Sequence, residues 1–246
     1  MSPGRGEGAD GGASRPEPAA KPSLAPSSLR VPGAAHELSI LRPGRLSYAD
    51  GLALQEELVR QRRAGEIPDT LVLLEHTHVV TLGTGATMDH VLLSEEDRAE
   101  RGIDLFRTGR GGDVTYHGPG QLVGYPILDL KPDRCDLHRY LRDIEAVLMD
   151  VLGDFGLTGE RIDGLTGVWA SGRKLAAIGV RVSSGWITSH GFALNVNTDL
   201  SFFNTIVPCG ITDRAVGSIS GELGRPVEMT RVDERVETRF RQRFGE

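Results

Sequence analysis

The sequence predicts an α+β fold, with mixed sheets flanked by helices, and three observations predict it. Strand-like runs in the second half follow one another across Gly and Ser turns, as in a meander. Helical periodicity is confined to well-separated segments, of which residues 136–155 are the clearest. Strands and helices do not alternate strictly, which disfavours a doubly wound parallel sheet. At 246 residues the chain can bury one sizeable core, and no fixed-period repeat suggests a solenoid or propeller.

Taken in order, residues 1–34 are expected to be a disordered tail. No Ile, Phe, Tyr or Trp occurs before Ile40, and proline recurs at Pro3, Pro16, Pro18, Pro22, Pro26 and Pro32. Such a segment cannot bury enough apolar area to offset its ordering entropy. One folded domain is expected over residues 35–246. It begins with a short strand over 36–41 and a helix over 47–64, with Ser47 as N-cap and Tyr48, Leu52, Leu54 and Leu58 as its apolar face. Residues 71–75 and 79–82 read as neighbouring strands, interrupted by His76-Thr77-His78 and closed by Gly83-Thr84-Gly85. Ser94, followed by Glu95, Glu96 and Asp97, opens a short helix. Residues 103–106 are a strand leading into a glycine-rich stretch, and 121–128 continue the same sheet. Asp136 caps a helix through Phe155, where Leu137, Tyr140, Leu141, Ile144, Val147, Leu148, Val151 and Leu152 recur near helical spacing and Gly156 stops it. Residues 167–170, 174–182, 186–189 and 191–197 form the meander. A charged terminal helix over 230–244 presents Val232, Val236, Phe240 and Phe244 on one face.

Composition excludes several function classes. A formal charge of -6 argues against nucleic acid as the main partner, since phosphate binding needs clustered positive surface. Two cysteines, Cys135 and Cys209, are too few for a disulfide framework or a cysteine-built zinc site, which fits a reducing, cytosolic setting. No run approaches the roughly 18 to 20 apolar residues of a membrane span, and the N-terminus lacks the apolar centre of a secretory signal. The protein is expected to be soluble and unexported. His76 and His78 would share one side of a strand and so could meet a metal, but the sequence marks no third ligand. Gly109, Gly111 and Gly112 suggest a phosphate cradle without supplying a GxxxxGK[ST] loop or a dinucleotide fingerprint. GxSxG signatures are absent as well.

Other residues do point to chemistry. From Arg110 to Gln121 the chain reads Arg-Gly-Gly-Asp-Val-Thr-Tyr-His-Gly-Pro-Gly-Gln. Glycines let backbone approach a ligand, while flanking strands would hold Arg110, Tyr116 and His117 around it. Cys209 lies between Pro208 and Gly210, which leave its sulfur accessible. It reads either as a nucleophile with a depressed pKa or as a small buried apolar residue. Cys135 stands beside Asp136, whose carboxylate opposes thiolate formation. Lys174 enters an apolar strand after Gly172-Arg173, so it is either a surface hairpin lysine or a partly desolvated proton carrier. His117 and His190 each abut glycine, as residues beside a ligand often do.

Taken together, the Arg110–Gln121 segment, Gly172-Arg173-Lys174 with Ile178-Gly179, His190-Gly-Phe-Ala-Leu-Asn-Val-Asn197 and Pro208-Cys209-Gly210 resemble the lipoyl(octanoyl) transferases. The likeness runs from about residue 36 to 221 in one order. It implies the biotin/lipoate protein ligase fold over a single catalytic domain, and transfer of an octanoyl group from acyl carrier protein to a lysine of a lipoyl domain. By the resemblance, Cys209 is the acyl-thioester nucleophile and Lys174 lowers its pKa and carries protons. Arg110, Gly111, Gly112, Asp113, Val114, Thr115, Tyr116 and His117 form one wall of the acyl site. Ala177, Ile178 and Gly179 form a second, and Gly191, Phe192 and Ala193 a third, with His190 in support. Leu82, Val114, Ile178 and Phe192 are candidates for the acyl tunnel, and Arg139, Arg142, Arg173 and Arg181 for a basic docking rim. No ATP or metal is implied, since the acyl group arrives on the phosphopantetheine of the carrier. The implied acceptors are the lipoyl domains of 2-oxoacid dehydrogenase E2 subunits and the glycine cleavage H protein, in the cytoplasm, with no nucleic-acid or membrane partner. An ATP-dependent lipoate or biotin ligase and a non-catalytic lipoyl-domain binder are the alternatives.

Overall fold

A computed structural model describes residues 1, 38–207 and 215–245. The tail expected over residues 1–34 lies, apart from Met1, outside the described residues, and so does Cys209. In order, the elements are β1 (Leu38–Leu46), α1 (Tyr48–Arg63), β2 (Asp69–His76), β3 (Val79–Leu82), α2 (Glu95–Glu100), β4 (Asp104–Arg107), β5 (Val114–His117) and β6 (Gln121–Ile127). There follow α3 (Leu137–Asp154), β7 (Glu160–Ile162), β8 (Leu165–Ala170), β9 (Arg173–Val182), β10 (Thr188–Asn195), α4 (Ile219–Leu223) and α5 (Met229–Phe244). A seven-stranded sheet runs β1-β2-β6-β10-β9-β8-β7, and a three-stranded sheet runs β4-β3-β5. Only β1–β2 and β3–β4 are parallel pairs among the named strands.

The large sheet is covered on both faces, which explains why β2 reads as an unbroken apolar run. Its Leu71 and Leu73 join one cluster with Tyr140, Ile144, Val147, Leu148, Val151 and Leu152 of α3 and with Val232, Val236, Phe240 and Phe244 of α5. Each such side chain contributes about 1.5–3 kcal/mol when fully buried, so α3 and α5 are held mainly by this contact. Phe240 and Phe244 stack at 4.4 Å between centroids. Val72 and Leu74 point the other way, to a cluster with Leu58 of α1, Val123 and Tyr125 of β6, and Ala193 of β10. A third cluster sits within the small sheet, from Val80, Leu82, Val114, Tyr116 and Ile206.

Several expectations need correction. The segments containing β2 and β3 are not neighbouring strands: β2 lies between β1 and β6, while β3 lies between β4 and β5. Two residues, Thr77 and His78, carry the chain from one sheet to the other, and hydropathy does not encode which partner a strand takes. For the same reason β6 leaves the sheet that holds β4. Residues 186–189 and 191–197 are not two strands, because β10 runs through His190 in a left-handed conformation, φ 56°. The buried residues of α1 are Tyr48, Gly51, Gln55 and Leu58, with Leu54 half-buried against the same cluster as Leu58 and Leu52 in none of the clusters. A Cβ on Gly51 would stand 2.6 Å from Cε1 of His76, so the helix rests on that ring through bare backbone. Ser47, Ser94 and Asp136 cap their helices as expected, each accepting a hydrogen bond from the backbone three residues on. No helix among the described residues is long and apolar enough to cross a membrane.

Candidate functional site

A cavity of about 320 Å³ opens between the α1-side face of the large sheet and the wall made by β5 with the strap before it. Strand register sets its floor. Gln121 of β6 stands opposite Asn195 of β10, and Val123 stands opposite Ala193. Ala193 in turn faces Ala177 of β9, and Gly191 faces Gly179. Alternation turns Ala177 and Ala193 toward the cavity and sends Ile178 and Phe192 into the core beneath α3 and α5. The floor is therefore a strip of very small side chains. From Asn195 to Gly191 it runs for about 13 Å at strand rise.

The facing wall is held by Arg110, which is only 7% exposed. Its guanidinium donates to the Thr81 carbonyl at 2.7 Å, to Thr81 Oγ1 at 2.9 and 3.2 Å and to the Gly111 carbonyl at 3.1 Å, tying the strap to β3. Gly111 N–H donates to the Val180 carbonyl at 2.9 Å, tying it to β9 as well. A Cβ on Gly179 would come within 2.9 Å of the Gly111 oxygen, so glycine there lets the strap settle onto the strand. Asp113 accepts from Val114 N–H and pairs with His90 Nδ1 at 2.7 Å. The His90 carbonyl accepts from Val207 N–H, the last described residue before 208–214.

Two imidazoles, His117 and His190, line the cavity, and a third, His76, lies 6.0 Å from His117 between ring centroids. Burial above all pushes His117 down to about 3, helped by neighbouring His76. Burial likewise lowers His190 to about 4, with the Arg110 charge adding to it, and lowers His76 to about 4. All three are neutral near pH 7. His76 Nε2 meets the Tyr125 hydroxyl at 2.7 Å and Nδ1 the Leu46 carbonyl at 3.1 Å. His78 has different company, with Nδ1 at 2.7 Å from the Tyr116 hydroxyl and its ring stacked on Phe202. Among the described residues no group of three or more His, Cys, Asp or Glu is placed to hold a metal.

Lys174 also lines the cavity, with Nζ 5.1 Å from the Trp169 ring centroid. Its backbone is gripped on both sides. Lys174 N–H donates to the Ala215 carbonyl, and its own carbonyl accepts from Gly217 N–H, both at 3.0 Å. Phe203 and Val216, which flank the segment containing Cys209, both line the cavity.

Most residues singled out in the sequence thus meet at one cavity: Arg110, Gly112, Asp113, Val114, Thr115, His117, Lys174, Ala177, Ile178, Gly179, His190, Gly191, Phe192 and Ala193. Gly111 and Tyr116 do not line it: the Gly111 N–H and carbonyl are taken up by Val180 and Arg110, and Tyr116 turns into the small-sheet cluster. Leu82 belongs to that same cluster. Of the expected basic rim, Arg142 pairs with Glu145, which Arg161 shares, Arg139 pairs with Asp143, which Arg243 shares, and Arg173 pairs with Glu222. Sequence reading missed Tyr48, Gln121, Val123, Tyr125, Asn195 and Phe203. Gln121 and Asn195 did carry a signal, being amides at core-facing positions of apolar strands.

In chemical terms this is a cavity with a floor of small side chains, lined by neutral imidazoles and an amine, suited to an extended apolar chain. The family of lipoyl protein ligase A/B catalytic domains matches residues 47–241. An octanoyltransferase of Rubrobacter xylanophilus is 52% identical over 205 residues, covering 83% of this chain and 92% of the relative. An octanoyltransferase of Synechococcus elongatus is 56% identical over 181 residues, covering 73% of this chain and 76% of the relative. A solved lipoate-protein ligase A bound with ATP shares the fold, with TM-score 0.70 over 84% of both chains at 20% identity. The chain belongs to the lipoyl protein ligase A/B catalytic family, among its octanoyltransferases.

Proposed function

We propose that the protein moves an octanoyl group from acyl carrier protein to a lysine of a lipoyl domain, through a thioester on Cys209. The observation that carries this is the cavity, lined by Lys174 and by a floor of Ala177, Ala193 and Gly179. Family membership supports it. The Cys209 thiolate would attack the thioester carbonyl of the carrier's phosphopantetheine, and the displaced pantetheine thiolate would take up a proton. One thioester replaces another, so the step is nearly balanced in energy and needs no ATP or metal. The target amine would then attack the acyl-enzyme, expelling the Cys209 thiolate. Its proton would pass to a neutral Lys174, and a stable amide would remain. As an ammonium, Lys174 would stabilise the thiolate. The acceptors are lipoyl domains of 2-oxoacid dehydrogenase E2 subunits and the glycine cleavage H protein, the compartment is the cytoplasm, and the working unit is a single domain over residues 35–246 behind an N-terminal tail.

Intact mass spectrometry after mixing with octanoyl-carrier, without ATP, tests this. A hydroxylamine-labile adduct of octanoyl mass should form and should be lost in Cys209→Ser. An undiminished adduct in Cys209→Ala would sink the proposal, and a strict need for ATP and Mg²⁺ would favour the ligase reading.

A further inference from the structure

A line of buried amides crosses the floor of the cavity and leads to Lys174. Asn195 Nδ2 donates to the Gly217 carbonyl at 2.9 Å, and Gln121 Nε2 donates to Asn195 Oδ1 at 2.9 Å. Gln121 Nε2 also donates to the Tyr116 carbonyl at 3.1 Å, while Gln121 Oε1 lies 2.8 Å from His117 Nδ1. Asn195 is 4% exposed and Gln121 1%, so neither exchanges these partners for water.

Orientation along the line is forced. The Gly217 and Tyr116 oxygens can only accept, so Asn195 and Gln121 must turn their NH₂ groups to them. Asn195 Oδ1 and Gln121 Oε1 are then both acceptors, and His117 Nδ1 must carry the proton. Since His117 is neutral, its Nε2 holds a lone pair, 3.5 Å from the Thr81 hydroxyl that Arg110 grips. The line therefore runs from the Arg110 wall to Gly217. At Gly217 it meets the backbone pair that clamps Lys174, through Gly217 N–H to the Lys174 carbonyl and Lys174 N–H to the Ala215 carbonyl.

We infer that Asn195, oriented by Gln121, is a positioning residue that holds the 215–217 segment on Lys174 and so fixes the lysine at the acyl cavity. Neither amide touches the reacting atoms in this account. Its catalytic consequence rests on the acyl-transfer reading, whereas its structural half does not.

Two readouts on the full chain separate these. In Asn195→Ala, amide hydrogen exchange at Lys174 and Gly217 should quicken about tenfold, the loss of one buried hydrogen bond, while Ile178 and Leu194 keep their protection. In octanoyl transfer from carrier to lipoyl domain, kcat should fall about tenfold with KM for the carrier changed by less than about twofold. Gln121→Met should release His117 from a single Nδ1–H tautomer, visible in imidazole nitrogen NMR. If Asn195→Ala does not fold, Asn195→Asp, which keeps the shape and loses the donor to Gly217, is read the same way. Unchanged exchange at Lys174 and Gly217, or exchange that quickens equally at Ile178 and Leu194, overturns the inference. Unchanged kcat with locally quickened exchange overturns its catalytic half. A wild-type protein that transfers nothing defeats the acyl-transfer reading alone and leaves the exchange result to decide the clamp.

Discussion

Lys174, which lines the cavity beside Trp169, is the proton carrier in the proposed reaction. Lys174→Ala should slow formation of the Cys209 adduct by about a hundredfold, in the range of a lost general acid or base, with unfolding temperature little changed. Stopped-flow or quench measurement of adduct formation checks this, and an unaltered rate would remove Lys174 from the mechanism. At this scale the sequence was a good guide to residues whose type is odd for their place, such as a lysine entering an apolar strand or a histidine beside glycine. It misled where a side chain's direction decided the matter. Tyr116 and His117 are adjacent in β5, so strand alternation sends one to the small-sheet cluster and the other to the cavity. Neighbouring residues of a motif are thereby assigned opposite faces, and the motif alone does not say which face is which.

Elements show the same effect on helices. A glycine inside a helix usually costs about 1 kcal/mol relative to alanine, yet at Gly51 the added carbon would press on His76 at 2.6 Å. Overpacking of about 1–3 kcal/mol then outweighs the propensity gain, and Gly51→Ala should lower stability. Gly153 of α3 is exposed and has nothing within 4 Å of its added carbon, so Gly153→Ala should raise stability by up to about 1 kcal/mol. Urea titration of both variants decides this, since shifts of the same sign would contradict the argument. Along the strands, Ala193→Leu would fill the middle of the floor opposite Ala177 and Val123. Acyl-carrier competition should then show preference moving to chains shorter than octanoyl, and retention of the wild-type order would rule out this floor as the acyl bed. The long helices were legible because local periodicity and, for α1 and α3, capping determine them, although the buried face of α1 also takes in Gly51 and Gln55. Strand partners were not: β2 and β3 look continuous in hydropathy but close two separate sheets.

For the molecule as a whole, three neutral buried histidines set a pH dependence. The unfolded chain protonates them near 6.5, while the folded chain holds His76 and His190 down to about 4 and His117 to about 3. Between these limits the unfolded state binds more protons, so stability rises with pH there. It should be fully present above about pH 6.5 and should fall as pH drops toward about 4, by about 2 kcal/mol per histidine by pH 5. Urea midpoints at pH 7.5, 6 and 5 measure this window, which lies above the one where lowered carboxylates such as Asp154 act. A flat profile from 7.5 to 5 would mean that the histidines open to solvent. Fold class and family were legible over about residues 36–221 because four separated motifs had to keep one order. The joining of two sheets around a shared cavity was not, since it depends on contacts between residues far apart in sequence.

The alanine pair on the floor has a consequence for descent. Only glycine is smaller, so nearly every mutation at Ala177 or Ala193 subtracts room and almost none adds it. Under the proposed function, drift at these two positions retunes the protein toward smaller cargo in single steps, and room for bulkier cargo has to come from truncating larger lining side chains such as Val123, Leu165 or Phe203. At the alanine pair itself, selection on cargo size works almost wholly in one direction.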